Sequence, residues 1–166
     1  MTQPAYSRTN DLTCEEAHAL FEYREGKLLW KAGGRGRTIG KIAGSVIGDG
    51  YACIRIQYKL YRVHRLVWVM YGNEPVPYID HINGDKLDNR IENLRAATHS
   101  QNCMNRCQRS DNTSGVKGVI WKKGKWHGSI VLNGKTHSAG YFTEKEDAAI
   151  AVSELRKKLH GEFARN

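Results

Sequence analysis

The stretch from Tyr78 to Asn105, YIDHINGDKLDNRIENLRAATHSQNCMN, gathers the side chains best suited to chemistry. A carboxylate and an imidazole stand side by side at Asp80 and His81, and amides follow at Asn93 and Asn102. A neutral imidazole has an ordinary pKa near ~6.5, so it takes a proton from water at neutral pH. An amide oxygen accepting from one ring N–H would leave the other ring nitrogen basic. A carboxylate and an amide oxygen suit a hard divalent ion such as Mg2+ or Mn2+, whereas zinc would favour histidine or cysteine. Hydrolysis of a phosphodiester needs a deprotonated water, relief of charge on the phosphate and a stabilised leaving oxygen, and these residue types meet all three needs. The plainer alternative is that Asp80, Asn83, Asp85, Asp88, Asn89 and Asn93 merely build a loop. For Asp85, Asp88 and Asn89 that reading is preferred; for Asp80, His81, Asn93 and Asn102 taken together the chemical one is.

The elements that must position these groups are short. Tyr78-Ile79 is an apolar lead into the Asp80-His81 pair, and Asn83-Gly84-Asp85 and Asp88-Asn89 carry turn chemistry. Ile91 to Ala97 is strand-like, and Thr98 with Gln101 forms a capping box that should open a helix. The order is strand, loop, strand, helix, too little to form a core alone. This segment resembles the ββα-metal motif of the HNH endonucleases, in the variant where asparagine replaces the last histidine. The resemblance is carried by DHINGDKLDNRIENLR followed by QNCMN. It implies that Asp80 is the first metal ligand, His81 the general base, Asn93 the residue orienting that base, and Asn102 the second metal ligand. Mg2+ or Mn2+ is the cofactor so implied, with no small-molecule cofactor.

The chain of 166 residues fits one ordinary domain or two small ones. Its 26 lysines and arginines against 17 acids leave a net charge of +9, which points to an anionic partner and to nucleic acid first. No apolar run approaches the roughly 18 residues that would span a bilayer, and no basic amphipathic helix suggests a membrane surface. MTQPAYSRTNDLT lacks the apolar stretch of a secretory signal, so residues 1–12 read as a loose leader. Cys14, Cys53, Cys103 and Cys107 do not suggest a disulfide framework. His99, Cys103 and Cys107 would share a helical face, but no second close pair completes a zinc site.

Ahead of the motif, Thr13 to Glu16 is a capping box for a short helix to about Phe21, and FEYREGKLLWK is a hairpin turning at Gly26. Gly33 to Arg37 is a basic loop in which Arg35 and Arg37 either contact phosphate or sit at a solvated tip. GYACIRIQYKLYRV reads as a second hairpin turning at Tyr58-Lys59, and His64 to Met70 as a helix closed by Gly72. The run up to YRVHRLVWVMYGNEP resembles the segment preceding the motif in phage-type HNH nucleases. His64 and Arg65 are candidates to reach the scissile phosphate; the alternative for His64 is a hydrogen-bonded structural histidine.

Residues 108–113 read as a linker, and the final third, 114–166, as a second domain. Lys117 to Lys122, Lys125 to Leu132 and Lys135 to Phe142 are three strands, the last two joined by a type I′ Asn133-Gly134 turn. Thr143 to Glu146 should cap a helix with Ala148, Val152, Leu155 and Leu159 on one face, ended by Gly161. This third resembles the AP2/ERF DNA-binding domain through SGVKGVIWKKGKWHGSI, the NGK turn, GYF, EDAAIA and LHGEFA. The resemblance implies a sheet laid in the major groove, with Lys117, Trp121, Lys122, Lys123, Lys125 and Trp126 at DNA-contacting strand positions. Ile120 stands where plant members carry arginine, and lysine replaces other arginines, so phosphate contact with looser sequence preference is expected.

The expected fold is α+β: N-terminal β-hairpins and a ββα-metal motif within residues 1–107, then a three-stranded antiparallel sheet with one packed helix. The expected function is divalent-metal-dependent hydrolysis of duplex DNA by an intracellular, free-standing homing-type endonuclease. Its rivals are a non-catalytic sequence-specific DNA-binding regulator and an RNA-directed enzyme, the latter disfavoured because A-form RNA lacks an accessible major groove.

Overall fold

Both reciprocal bonds of the Thr13–Glu16 capping box form, and they open α1 (Cys14–Leu20). The computed structural model describes residues 12–34, 36–105 and 112–164. The leader apart from Leu12, Arg35, Cys107 and most of the linker lie outside the described residues. The chain divides between Ala97 and Thr98 into two compact units. The helix after Thr98, grouped by its sequence with the nuclease motif, clusters with the C-terminal unit.

In the first unit, β1 (Phe21–Arg24) and β2 (Lys27–Trp30) form the expected hairpin, with Glu25 and Gly26 both at positive φ. β3 (Ser45–Val46), β4 (Ala52–Ile56) and β5 (Lys59–Arg62) make a three-stranded antiparallel sheet. The β4–β5 turn is Gln57-Tyr58, one residue earlier than the sequence reading placed it, because both residues adopt positive φ (46° and 66°). α2 (Val63–Met70) follows at once and buries Val63, Leu66, Val67 and Met70. Its apolar face meets Phe21, Leu28, Trp30, Ile54 and Ile56 in the core of this unit. Leu12 packs against that core from outside.

β6 (Tyr78–His81) and β7 (Leu94–Ala97) pair antiparallel, and they contribute Ile79 and Leu94 to the same core. The strand expected from Ile91 starts only at Leu94, since Ile91–Asn93 winds into a single 3₁₀ turn. The β1–β2 turn lies against the loop between β6 and β7. A Cβ on Gly26 would come within 2.8 Å of the Arg90 amide nitrogen, so this glycine permits the approach as well as the turn.

The second unit holds α3 (His99–Met104), opened by the complete Thr98–Gln101 capping box. β8 (Val119–Lys122), β9 (Lys125–Leu132) and β10 (Lys135–Phe142) form an antiparallel sheet in the order β10-β9-β8. Asn133 and Gly134 take the positive φ angles of the expected turn. β8 begins two residues later than expected, leaving Lys117 outside the strand. α4 (Lys145–His160) packs Ala148 and Val152 against Val119 and Ile130, with Leu155 and Leu159 alongside. Its N-cap is Glu144 with no side-chain cap bond, so the Thr143 capping box does not form. Sheet and helix touch closely at Gly128, where a Cβ would fall 2.5 Å from Val152 Cγ2. Among the described residues no helix is long and apolar enough to cross a membrane.

Candidate active site

The register of β6 with β7 sets Asp80 opposite Arg95 and His81 opposite Leu94. Residues opposite one another share a face, and the Arg95 guanidinium reaches Asp80 Oδ2 through Nε (2.9 Å) and Nη2 (2.8 Å). Both partners are shielded, with side-chain exposures of 15% and 5%, a dry setting in which either charge alone would be costly. A carboxylate offers about four acceptor positions, and Arg95 engages one oxygen of this one.

His81 is buried, and its Nε2 lies 3.1 Å from Asn89 Oδ1. The Asn89 amide is itself held in one sense, because its Nδ2 donates to the Leu87 carbonyl at 3.2 Å. A carbonyl only accepts, so Oδ1 is the end that faces the ring. His81 Nε2 therefore carries the proton, and Nδ1 is the basic nitrogen. The hydrogen bond to His81 Nε2 described here comes from Asn89, a residue whose sequence context suggests a loop role, while Asn93 bonds to the loop itself. Spacing could not separate the two; only the loop path turns Asn89 inward.

Asn93 is a brace for the loop. Its Oδ1 accepts from the Asn83 amide at 3.0 Å, and its Nδ2 donates to Asn83 Oδ1 (3.0 Å) and to the Asp88 carbonyl (2.7 Å). Asn83 also caps Asp85, Asp85 caps Leu87, and the Tyr23 hydroxyl accepts from the Ile91 amide. The Arg90 guanidinium grips Asp88 at 2.7–2.8 Å and holds its carboxyl down to about 2. The preference for a loop role at Asp85 and Asp88 agrees with these bonds.

His64 was a candidate phosphate contact, but it stands behind His81 with 4% exposure. The two rings meet edge to face at 5.1 Å, and the ring of Tyr51 lies 5.2 Å from His64 and 5.9 Å from His81. The buried His64 Nδ1 has no hydrogen-bond partner. Burial, then the nearby His81, Arg62 and Arg65, push its pKa down to about 3, so the ring is neutral and cannot pair with phosphate. Arg65 turns to the Val76 carbonyl at 3.1 Å and braces the approach to β6. Arg37 lies over the Trp30 ring at 4.7 Å.

In the second unit Asn102 sits on α3, half-buried. His99 Nε2 is 3.6 Å from Cys103 Sγ, while Cys107 is outside the described residues. Among the described residues no group of three or more His, Cys, Asp or Glu side chains is placed to hold a metal. Lys117 donates to the Met104 carbonyl at 3.1 Å instead of lying on the sheet. Trp126 packs against the core, and Trp121, its register partner, meets it edge-on at 4.9 Å. Strand alternation puts both tryptophans on the face that carries Val119 and Ile130, where Trp126 packs against the core and Trp121 remains exposed. The opposite face carries Ile120, Lys122, Lys125, His127 and Tyr141, with the last two rings 4.5 Å apart.

The buried His64 has a measurable consequence. Below about pH 6.5 the unfolded chain takes up a proton at this residue, and the folded chain does not until about pH 3. Stability is therefore lost as pH falls through this window, by about 2 kcal/mol between pH 7 and pH 5. Urea unfolding of His64→Leu should show that much less acid sensitivity than the parent. Asn93→Ala should lower unfolding free energy by about 2 kcal/mol at pH 7, since it strips three bonds from a buried brace.

A family model described as HNH endonuclease matches residues 61–104, the span that carries His64, Asp80, His81, Asn89, Asn93 and Asn102. Protein 3.8 of Escherichia phage T7 is 37% identical over 115 residues, covering 65% of this chain and 92% of that protein. An uncharacterized HNH endonuclease of Acanthamoeba polyphaga mimivirus is 34% identical over 106 residues, covering 62% of this chain and 55% of that protein. No solved structure matches. With Asp80 and His81 both inside the matched span, the chain belongs to the HNH endonuclease family and is an HNH-type nuclease.

Proposed function

We propose that the protein is a divalent-metal-dependent endonuclease that hydrolyses phosphodiester bonds in duplex DNA, of the free-standing homing type. The observation that carries this reading is the Asn89–His81 bond, which turns Nδ1 into the proton-accepting nitrogen beside the Asp80 carboxylate. His81 Nδ1 takes a proton from water as the water oxygen attacks phosphorus. The P–O bond to the leaving oxygen breaks, that oxygen takes a proton from solvent, and His81 returns its own proton to solvent.

The donor set fits a hard cation. Asp80 supplies a carboxylate paired with Arg95 and would hold Mg2+ or Mn2+, whose charge stabilises the phosphate and the leaving oxygen when bound; the HNH resemblance implies the Asn102 amide oxygen as the further ligand. Asn89 keeps the tautomer, and Asn93 keeps the loop that presents Asn89.

The second unit is proposed as an AP2-like module that holds duplex DNA on the open face of the β8–β10 sheet. Lys122 and Lys125 oppose one another across β8 and β9 on that face, with Lys123 in the turn between them. Lysines meet phosphate as point charges, so this grip favours affinity over sequence preference.

Supercoiled plasmid should be nicked or linearised with Mg2+ or Mn2+ and left intact with EDTA. His81→Ala should lower the rate by about 100-fold or more. Asn89→Ala should cost about 10- to 100-fold. Undiminished cutting by His81→Ala would place the active site elsewhere, and a gel shift without cutting by the parent would favour the regulator. For the sheet, Lys122→Gln with Lys125→Gln should flatten the slope of log affinity against log salt by about 1.8 for any duplex sequence.

A further inference from the structure

Beside His81 the first unit carries a second group of side chains that the hydrolytic step does not use. Tyr51 presents its ring to two cations at once: the Arg62 guanidinium at 4.4 Å and the Lys86 ammonium at 4.8 Å. Both are anchored at Asp49. Arg62 Nη2 pairs with Asp49 Oδ2 at 2.8 Å, and Lys86 Nζ donates to the Asp49 carbonyl at 2.8 Å. The same carboxylate accepts from the Tyr51 amide through Oδ1 at 3.2 Å, which fixes the ring relative to both cations. The Lys86 stem lies over Gly50, where a Cβ would stand 3.5 Å from its Cδ.

We propose that Arg62 and Lys86, laid on the ring of Tyr51, form a subsite for a backbone phosphate of the nucleic-acid strand whose neighbouring bond faces His81. Three observations argue for it. The Asp49 carboxylate pairs with Arg62 alone while Lys86 takes only the Asp49 backbone carbonyl, so two cations face one acid and the spot keeps an excess positive charge. Arg62 remains about half exposed, with a side-chain exposure of 45%, so its guanidinium can exchange a carboxylate for a phosphate. The platform ring lies 5.9 Å from the base, close enough for one strand to reach both. Neutral His64 fills the space behind the two rings and adds no charge of its own.

The cation–ring contacts hold both side chains extended before any ligand arrives, which lowers the entropy lost on binding. Arg62 and Lys86 are thus binding residues that seat the strand, and Tyr51 is a positioning residue that acts through them. Asp49 is the internal competitor: its carboxylate occupies Arg62 where phosphate would sit.

The subsite rests on the nucleic-acid reading of this chain, and its test separates the two. Binding of a fluorescent duplex would be followed at 50 and 200 mM salt in full-length protein carrying His81→Ala, beside the same protein with Arg62→Gln and Lys86→Gln. Loss of two phosphate contacts should reduce the salt-induced drop in affinity by about 10-fold. In protein with His81 intact, the pair of substitutions should raise KM for plasmid cleavage by a similar factor. Asp49→Asn keeps the acceptor for the Tyr51 amide and removes the competing charge, so it should tighten duplex binding about 3-fold. An unchanged salt response, or an Asp49→Asn protein that melts earlier and binds no better, would overturn the proposal and leave the cluster a structural clamp. If the parent binds duplex but never cuts, the hydrolytic reading falls, while the salt response still decides the subsite.

Discussion

One amide with two fixed ends governs this active site. Asn89 must donate to the Leu87 carbonyl and accept from His81 in the same conformation, and that double demand settles which imidazole nitrogen holds the proton. Much of the loop around it maintains the demand. Asn93 ties Asn83 to the Asp88 carbonyl, Arg90 locks Asp88, and the β1–β2 turn presses against the chain at Arg90 through Gly26. A hairpin early in the sequence thereby helps to set the chemistry of a residue more than fifty positions later.

The electrostatic setting is equally constrained. A base serves only while it is neutral, and a charged neighbour in a low-dielectric site would shift it strongly. His64 packs against His81 yet stays uncharged because it is buried, so the imidazole pair carries no mutual repulsion. Asp80 sits one residue away from the base along β6, and Arg95 balances it across the ladder. The surroundings of His81 are thus close to neutral, while the cations that could draw in a polyanion stand a ring's width away at Tyr51.

Local chemistry in the sequence was a good guide to local structure. Both capping boxes at Thr13 and Thr98, the Gly26 and Asn133-Gly134 turns, the three C-terminal strands and the apolar stripe of α4 follow from short-range rules, and the structure has them. The Thr143 box failed because the helix starts at a later cap, a one-residue choice that local energies barely distinguish. Side-chain destinations were harder. Asn89 and Asn93 are the same residue type four positions apart, and their roles separate only through the three-dimensional course of the loop. Trp121 and Trp126 carry the composition of a nucleic-acid face, and period-two alternation puts them on one face, where Trp126 packs against the core and Trp121 stays exposed. The sequence leaves His64 open between a phosphate contact and a structural histidine, and only the packing of α2 buries its ring and sends Arg65 to a backbone carbonyl.

The two units have cores with no residue in common, one around Phe21, Leu28, Ile54 and Val67, the other around Val119, Ile130, Ala148 and Val152. Burial is what makes unfolding cooperative, so separate cores are separate cooperative blocks. A substitution that empties one core strips apolar contacts from that block alone, so its direct cost is set by the packing of the core it touches.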